Sequence, residues 1–223
     1  MFALTSDRRL DPRPTAVLLD LDGTLLDSAA TITRALARAA ADYGYTYDPE
    51  DLRRFVGPPI RATLAELAPE IDVDEAVAHY REVYAATMFE APLFDQTRPV
   101  LDALAAAGTP LAVATSKRRT HARELLAHHG LEERFVAICG AGEGDANADK
   151  AAVVADALRQ LAGAGADTRD SIMVGDKIHD IVGAAVHGLP TIIVGWGYGG
   201  AQERAQALAV ATDAADLVRL LGL

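Results

Sequence analysis

Thr15-Ala16-Val17-Leu18-Leu19-Asp20-Leu21-Asp22-Gly23-Thr24 decides how this chain is read. The short apolar run from Thr15 to Leu21 breaks into Asp22-Gly23-Thr24, the pattern of a buried strand that ends in a turn. Alternate side chains of an extended segment point the same way, so Asp20 and Asp22 share a direction at the carboxyl end of that strand. Gly23 then permits the turn that leads the chain away. Two carboxylates this close in an apolar frame repel, and one is driven toward its neutral form unless a cation compensates. Aspartate oxygens are the usual ligands of a hard divalent ion such as magnesium. A solvated strand end with one aspartate capping the next helix gives the same local pattern, so the decision falls to the rest of the chain.

Further apolar runs of the same kind follow at Pro110 to Thr115, Phe135 to Cys139, Ser171 to Gly175 and Thr191 to Gly195, with a weaker one at Leu208 to Ala211. Helical periodicity fills the gaps at Pro99 to Ala107, Arg118 to His129, Lys150 to Leu161 and Ile178 to His187, with Gly108, Gly130 and Gly188 near helix ends. Strands alternating with helices predict an α/β fold, a Rossmann-like parallel sheet with helices on both faces. Between Ser28 and Arg98 the rhythm breaks into helical patterns without a strand, predicting an inserted α-helical domain. Its helices are expected at Ser28 to Tyr43, Pro59 to Leu67 and Val73 to Phe89. The expected domains are therefore a polar, poorly ordered leader at 1–14, an α/β core formed by 15–27 and 99–223, and a helical cap at 28–98. The insertion leaves and re-enters at the carboxyl end of the sheet, where open α/β sheets bind ligands, and so reads as a mobile lid.

Other chemistry-bearing residues follow the later strands. Asp176 ends one strand in Val174-Gly175-Asp176-Lys177-Ile178-His179-Asp180, and Asp180 lies one helical turn on, a second source of metal ligands. Thr115-Ser116-Lys117 offers a hydroxyl and backbone donors where a helix is expected to start, which suits a phosphate oxygen but equally suits a helix cap. Lys150 opens a helix and is placed to steer an ammonium toward an anion at the sheet edge. Gly140-Ala141-Gly142-Glu143-Gly144 imitates a dinucleotide fingerprint, but Asp145 stands where the last glycine belongs and no strand-turn-helix follows.

In chain order these pieces read Asp-x-Asp, Thr-Ser, Lys, Gly-Asp-x-x-x-Asp. That order resembles the four motifs of the haloacid dehalogenase superfamily, with a helical cap between the first and second. The resemblance implies Asp20 as the nucleophile that forms an aspartyl phosphate and Asp22 as general acid and base. It also implies Thr115, Ser116 and Lys150 on the phosphoryl oxygens, with Thr115 and Lys150 counted among the catalytic groups. Mg2+ is implied between Asp20, the Asp22 carbonyl and Asp176, with Asp180 behind them. Leu19, Ser116 and Ala151 depart from the residues commonest at their positions in the superfamily, and none of these removes a reacting group. Phe55-Val56-Gly57-Pro58-Pro59-Ile60-Arg61 and Gly195-Trp196-Gly197-Tyr198-Gly199-Gly200 further resemble the bacterial phosphoglycolate phosphatase group, whose near relatives include 5'-nucleotidases. On that likeness Arg61 is a candidate for a substrate carboxylate or phosphate, with Trp196 and Tyr198 as rim or packing residues. Thr24 speaks against a sugar-phosphate mutase, because those relatives tend to carry valine there.

Composition agrees with this reading. The 223 residues are 50% hydrophobic and 24% charged, with 21 Lys+Arg against 32 Asp+Glu and a net charge of −11. An acidic chain with no basic patch repels phosphate backbones, so the expected partner is a small phosphorylated metabolite and not a nucleic acid. The single cysteine, Cys139, excludes an internal disulfide and suits a reducing cytoplasm. No apolar stretch is long enough for a membrane span, and the polar start carries no signal-peptide h-region. A monomer or homodimer is the expected assembly.

Overall fold

A computed structural model describes residues 3–4, 9–142 and 148–223. After a two-stranded antiparallel ribbon, β1 (Ala3–Leu4) and β2 (Leu10–Asp11), the chain enters β3 (Ala16–Leu19). The helices α1 (Ala29–Ala41), α2 (Ile60–Leu67) and α3 (Val73–Ala85) follow, with 3-10 turns at Pro49–Phe55 and Met88–Glu90. Then come α4 (Thr97–Ala106), β4 (Leu111–Arg118), α5 (Arg119–His128), β5 (Ala137–Ala141) and α6 (Lys150–Gly163). The chain closes with β6 (Ser171–Gly175), α7 (Ile178–Ala185), β7 (Thr191–Val194), α8 (Ala201–Gln206), β8 (Ala209–Ala211) and α9 (Ala214–Leu220).

Six strands form one parallel sheet in the order β5-β4-β3-β6-β7-β8. All four residues of β3 are buried, because a central parallel strand is covered on both faces. Alternation divides them. Val17 and Leu19 join Val113, Ile172 and Val174 under α4, α5 and α9, whereas Ala16 and Leu18 join Ala112, Ala114 and Cys139 under α6. The second face is built largely of small residues, which lets Val153, Val154 and Ala157 of α6 approach the strands closely.

Two features of this arrangement locate the site. The strand β3 pairs with β4 on one side and β6 on the other, so its carboxyl end is where the strand order reverses, the usual ligand crevice of such sheets. Leu19 is in register with Val174, which sets Asp20 beside the end of β6. The helical insertion leaves the sheet there. Its apolar residues, among them Leu36, Leu52, Leu64 and Val77, belong to the same cluster as Val17 and Leu19.

The structure departs from expectation in several places. Helix α3 ends at Ala85 rather than running to Phe89, and a 3-10 turn replaces its last part. Strand β4 continues through Thr115, Ser116 and Lys117 with a register irregularity, so these residues are not at a helix N-terminus. Glycine on the neighbouring strand makes this geometry possible, because a Cβ at Gly140 would strike the Lys117 carbonyl oxygen. Residue 140 thus serves strand packing and no nucleotide loop; Glu143, Gly144 and Asp145 of that apparent fingerprint lie outside the described residues. The leader, expected to be loosely held, is built into the fold at its end: Leu10 pairs in β2 and is buried in the main apolar cluster. Residues 1–2 and 5–8 of the leader lie outside the described residues.

Candidate active site

The two aspartates of the first motif are both buried, yet they face different partners. Asp20 lies at the end of β3, and the Nζ atom of Lys150 is 2.8 Å from its Oδ1. Oxygens of Asp20, Asp176 and Asp180 all lie within 4.8 Å of one another. Asp22 turns elsewhere. Its Oδ1 accepts the Ser28 hydroxyl at 2.6 Å, and its Oδ2 is 3.1 Å from Lys117 Nζ. The intervening turn depends on Gly23, whose φ of 83° is the left-handed region and whose absent Cβ would overlap the Asp176 carboxylate.

Lys150 begins α6, which Asp149 caps by accepting the Ala152 N–H. From there its side chain runs inward. Its Nζ donates to the Ala114 carbonyl at 2.9 Å and sits 2.8 Å from Asp20 Oδ1 and 2.8 Å from Asp180 Oδ1. Burial opposes the charge on Lys150, but the carboxylates of Asp180 and Asp20 outweigh it and hold the ammonium above its ordinary range. The second oxygen of Asp180 accepts the backbone N–H groups of Asp176 and Lys177, each at 3.0 Å. Asp180 is therefore committed to Lys150 and to the loop that shapes Asp176.

Charge balance across this cluster calls for a cation. Burial pushes the Asp20 carboxyl up to about 6 despite Lys150, and burial with Asp180 and Asp20 nearby raises Asp176 well above the usual carboxylate range. Asp176 Oδ2 accepts the Tyr198 N–H at 2.8 Å, while its Oδ1 is buried with no hydrogen-bond partner. A buried, unpartnered carboxylate oxygen beside two other carboxylates fits a hard divalent ion.

The remaining residues named from sequence divide cleanly. Thr115 is buried, lines the cleft with Asp20 and Asp22, and accepts the Lys117 N–H on its Oγ1 at 3.2 Å, which leaves its hydroxyl proton to give. Ser116 lines the same cleft, which is open to solvent. Arg61 is not brought there. The cleft is lined by its neighbour Ile60, while Arg61 pairs with Asp74 at the start of α3. The cause is helical phase: adjacent residues of α2 point about 100° apart, so only one of the two faces inward.

Two residues that sequence reading passed over, Lys117 and Ser28, belong to this site, as does Tyr198. Lys117 is buried between Asp22 and Tyr84, donating to the Tyr84 hydroxyl at 2.8 Å with its Nζ 4.4 Å from the ring centroid. Burial again opposes the charge, and Asp22 with Tyr84 and Tyr80 overcomes it. Ser28 closes the other side of Asp22. Tyr198, expected as a rim residue, links Asp176 to the start of the insertion, since its hydroxyl donates to Asp27 and accepts the Ala29 N–H.

The sequence profile of the haloacid dehalogenase-like hydrolases matches residues 17–194, from β3 to the end of β7. The chain belongs to that family. Among its relatives, the haloacid dehalogenase-like chain is 42% identical over 188 residues to "Tyrosine-protein kinase PtkA" of Mycobacterium tuberculosis, covering 83% of this chain and 64% of that one. It therefore spans less than two thirds of the PtkA length. The 5'-nucleotidase of Pseudomonas aeruginosa is 36% identical over 193 residues, covering 84% of this chain and 85% of that one. A phosphoglycolate phosphatase of Agrobacterium fabrum is also 36% identical, over 199 residues, with 84% and 83% covered. Among solved structures, a predicted phosphatase from Clostridium acetobutylicum superimposes with a TM-score of 0.85 at 32% identity, covering 95% of this chain and 100% of that one. These likenesses establish the Rossmann-like haloacid dehalogenase fold of the parallel sheet. No helix among the described residues is long and apolar enough to cross a membrane.

Proposed function

We propose that this haloacid dehalogenase-like chain hydrolyses the phosphomonoester of a small metabolite in the manner of a phosphoglycolate phosphatase, through an aspartyl phosphate on Asp20. The observation that carries the reading is the division of the Asp-x-Asp pair. Asp20 faces Lys150 and the acidic cluster, whereas Asp22 is held apart by Ser28 and Lys117. Two carboxylates two residues apart with separate partners can take separate roles.

In the first step an Asp20 oxygen attacks phosphorus as the ester P–O bond breaks, and Asp22 in its acid form gives the departing alkoxide a proton. Ser28 and Lys117 hold the Asp22 carboxyl in position for that transfer. In the second step a water attacks phosphorus, its proton passes to Asp22, and the P–O bond to Asp20 breaks to release inorganic phosphate. Lys150 screens Asp20, and the Thr115 hydroxyl and Ser116 are the donors for phosphoryl oxygens. Asp20 and Asp176, with the Asp22 carbonyl, would hold Mg2+, and Asp180 would orient that set from behind. The ion would supply positive charge against the phosphoryl oxygens and allow two anions to approach.

The helical insertion, residues 28–98, serves in this reading as a cap over a core made of 15–27 and 99–223. A cytoplasmic protein, monomeric or homodimeric, accords with one cysteine and an acidic composition.

The test is release of inorganic phosphate from phosphoglycolate, nucleoside monophosphates and hexose phosphates, with magnesium and then with chelator. Chelator-sensitive release that Asp20→Asn abolishes in a folded protein supports the mechanism; an unchanged rate in that variant removes it. The likeness to the 5'-nucleotidase favours nucleoside monophosphates within the same reaction. The likeness to PtkA favours a second reading, transfer of the phosphoryl group to a tyrosine hydroxyl instead of water. Labelled ATP with a tyrosine peptide separates the two, because only transfer leaves label on the peptide.

A further inference from the structure

Gly195-Trp196-Gly197-Tyr198-Gly199-Gly200 follows β7 and contributes no carboxylate to the acidic cluster, yet its backbone is pressed against Asp176 at three points. A Cβ at Gly197 would overlap the Cβ of Asp176 and the carbonyl oxygen of Gly23. The Tyr198 N–H donates to Asp176 Oδ2 at 2.8 Å. A Cβ at Gly199 would overlap the Asp176 carbonyl oxygen. Glycine at 197 and 199 is what lets the amide between them come within hydrogen-bond reach, because a side chain at either position would hold the backbone off.

The same loop is tied to the first motif. Trp196 Nε1 donates to the Thr24 carbonyl at 3.1 Å, one residue beyond the Gly23 carbonyl on which Gly197 packs. Lys177 Nζ donates to the Tyr198 carbonyl at 3.3 Å. Residues 196–199 therefore bridge the turn that follows Asp20 and the strand end that carries Asp176. The effect on Asp176 is directional. An amide holds its Oδ2, and its Oδ1, buried and without a hydrogen-bond partner, is the oxygen left for an ion.

We infer that Gly197 and Gly199, acting through the Tyr198 amide, are positioning residues for the divalent ion. They fix Asp176 Oδ1 beside Asp20, and so set both the affinity of the site and its preference for a small ion. This rests on the metal reading above and adds to it residues that are not ligands. Groups that support metal ligands from behind tune affinity by about 10- to 100-fold. Mg2+ demands closely placed oxygens in near-ideal arrangement, whereas Ca2+ accepts longer and looser coordination. A displaced Asp176 therefore costs the smaller ion more.

Melting temperature against metal concentration, on protein stripped with chelator, gives apparent Kd values for Mg2+ and Ca2+ without turnover. Gly197→Ala should raise the Mg2+ Kd at least about tenfold and the Ca2+ Kd by less, so that the preference for Mg2+ narrows. Gly200→Ala is the control. A Cβ there meets nothing nearer than Glu203 Oε2 at 3.8 Å, and both Kd values should stay within about twofold of the parent.

If circular dichroism of metal-free Gly197→Ala shows an unfolded protein, Trp196→Phe takes its place, since it removes the bond to Thr24 and keeps an aromatic ring. Its Mg2+ Kd should rise at least about threefold, from one hydrogen bond of ordinary worth, again with a smaller change for Ca2+. Unchanged Kd values in the variant tested, or an equal rise for both ions, overturn the inference, while the parent's own response keeps the metal reading standing. No response of the parent to either ion removes the metal reading and the inference with it.

Discussion

Tyr198 donates its backbone N–H to Asp176 Oδ2 at 2.8 Å and carries its phenol to the point where the helical insertion leaves the sheet. There the hydroxyl donates to Asp27 at 2.8 Å and accepts the Ala29 N–H at 3.0 Å, while Arg53 of the insertion lies 5.9 Å from the ring centroid. One residue thus touches both the acidic cluster and the first residue of α1.

Tyr198→Phe should separate those two contacts. It removes the hydroxyl and keeps the backbone bond to Asp176. We expect a loss of about 1 kcal/mol of stability, from hydrogen bonds of ordinary net worth, and an unchanged response of the melting temperature to magnesium. A magnesium response that falls with the hydroxyl would show the side chain itself to govern Asp176.

Metal binding is checked without turnover. Magnesium should raise the melting temperature of the parent, by about 2.7 kcal/mol of stability at a hundredfold excess over Kd. Asp176→Ala removes the unpartnered Oδ1 and should abolish that rise. An equal rise in both proteins would place the ion elsewhere.

Lys117→Met should be costly. Both side chains of the Lys117–Asp22 pair are buried, at 8% and 9% exposure, so removing one partner strands the other charge. We expect about 3 kcal/mol of destabilisation by chemical denaturation, with Lys117→Arg recovering part of it. A cost below about 1 kcal/mol would mean that Ser28 alone satisfies Asp22.

Acid should weaken the fold partly through His121. Its folded pKa, about 4, lies below the ordinary 6.5, so the native state resists protonation more than the unfolded state. This contribution is complete above about pH 6.5 and is lost as pH falls toward 4. Melting temperatures of parent and His121→Gln measured across that window should show the steeper decline in the parent; parallel curves would exclude the effect.

Arg61→Ala should change little. The guanidinium is partly exposed and pairs with an exposed Asp74, an arrangement that contributes less than about 1 kcal/mol. KM and kcat on the preferred ester should match the parent. A raised KM would return Arg61 to the site.

Much of this site was legible in the sequence because its parts are local. Asp20 and Asp22 announce themselves by spacing at a strand end, and Asp176 with Asp180 by a second strand followed by one helical turn. Their convergence follows from parallel pairing, which the alternation of strands and helices already implies. The arginine question was different. Position along α2 could not tell whether Ile60 or Arg61 turns inward, because that depends on how the insertion docks. Lys117 was hidden for a related reason. It sits in an irregular continuation of β4 whose course depends on space left by Gly140 on the next strand, and its partner Tyr84 is 33 residues away. Tyr198 reaches Asp27 across 171 residues, beyond any pattern of spacing.

The apolar cluster that runs unbroken from the sheet into the insertion sets a limit on modularity. Leu21, Leu25 and Leu26, all buried, lie on the chain between Val17 and Leu19 of the sheet and Leu36 of the insertion. Recombining this chain with a relative by exchanging residues 28–98 alone would cut through that weld and set foreign side chains against its leucines. A viable crossover lies upstream, before Leu21, and takes Asp22 and Ser28 along with the helices. Inheritance of Asp22 is thereby tied to that of the insertion, and Asp20 stays with the sheet.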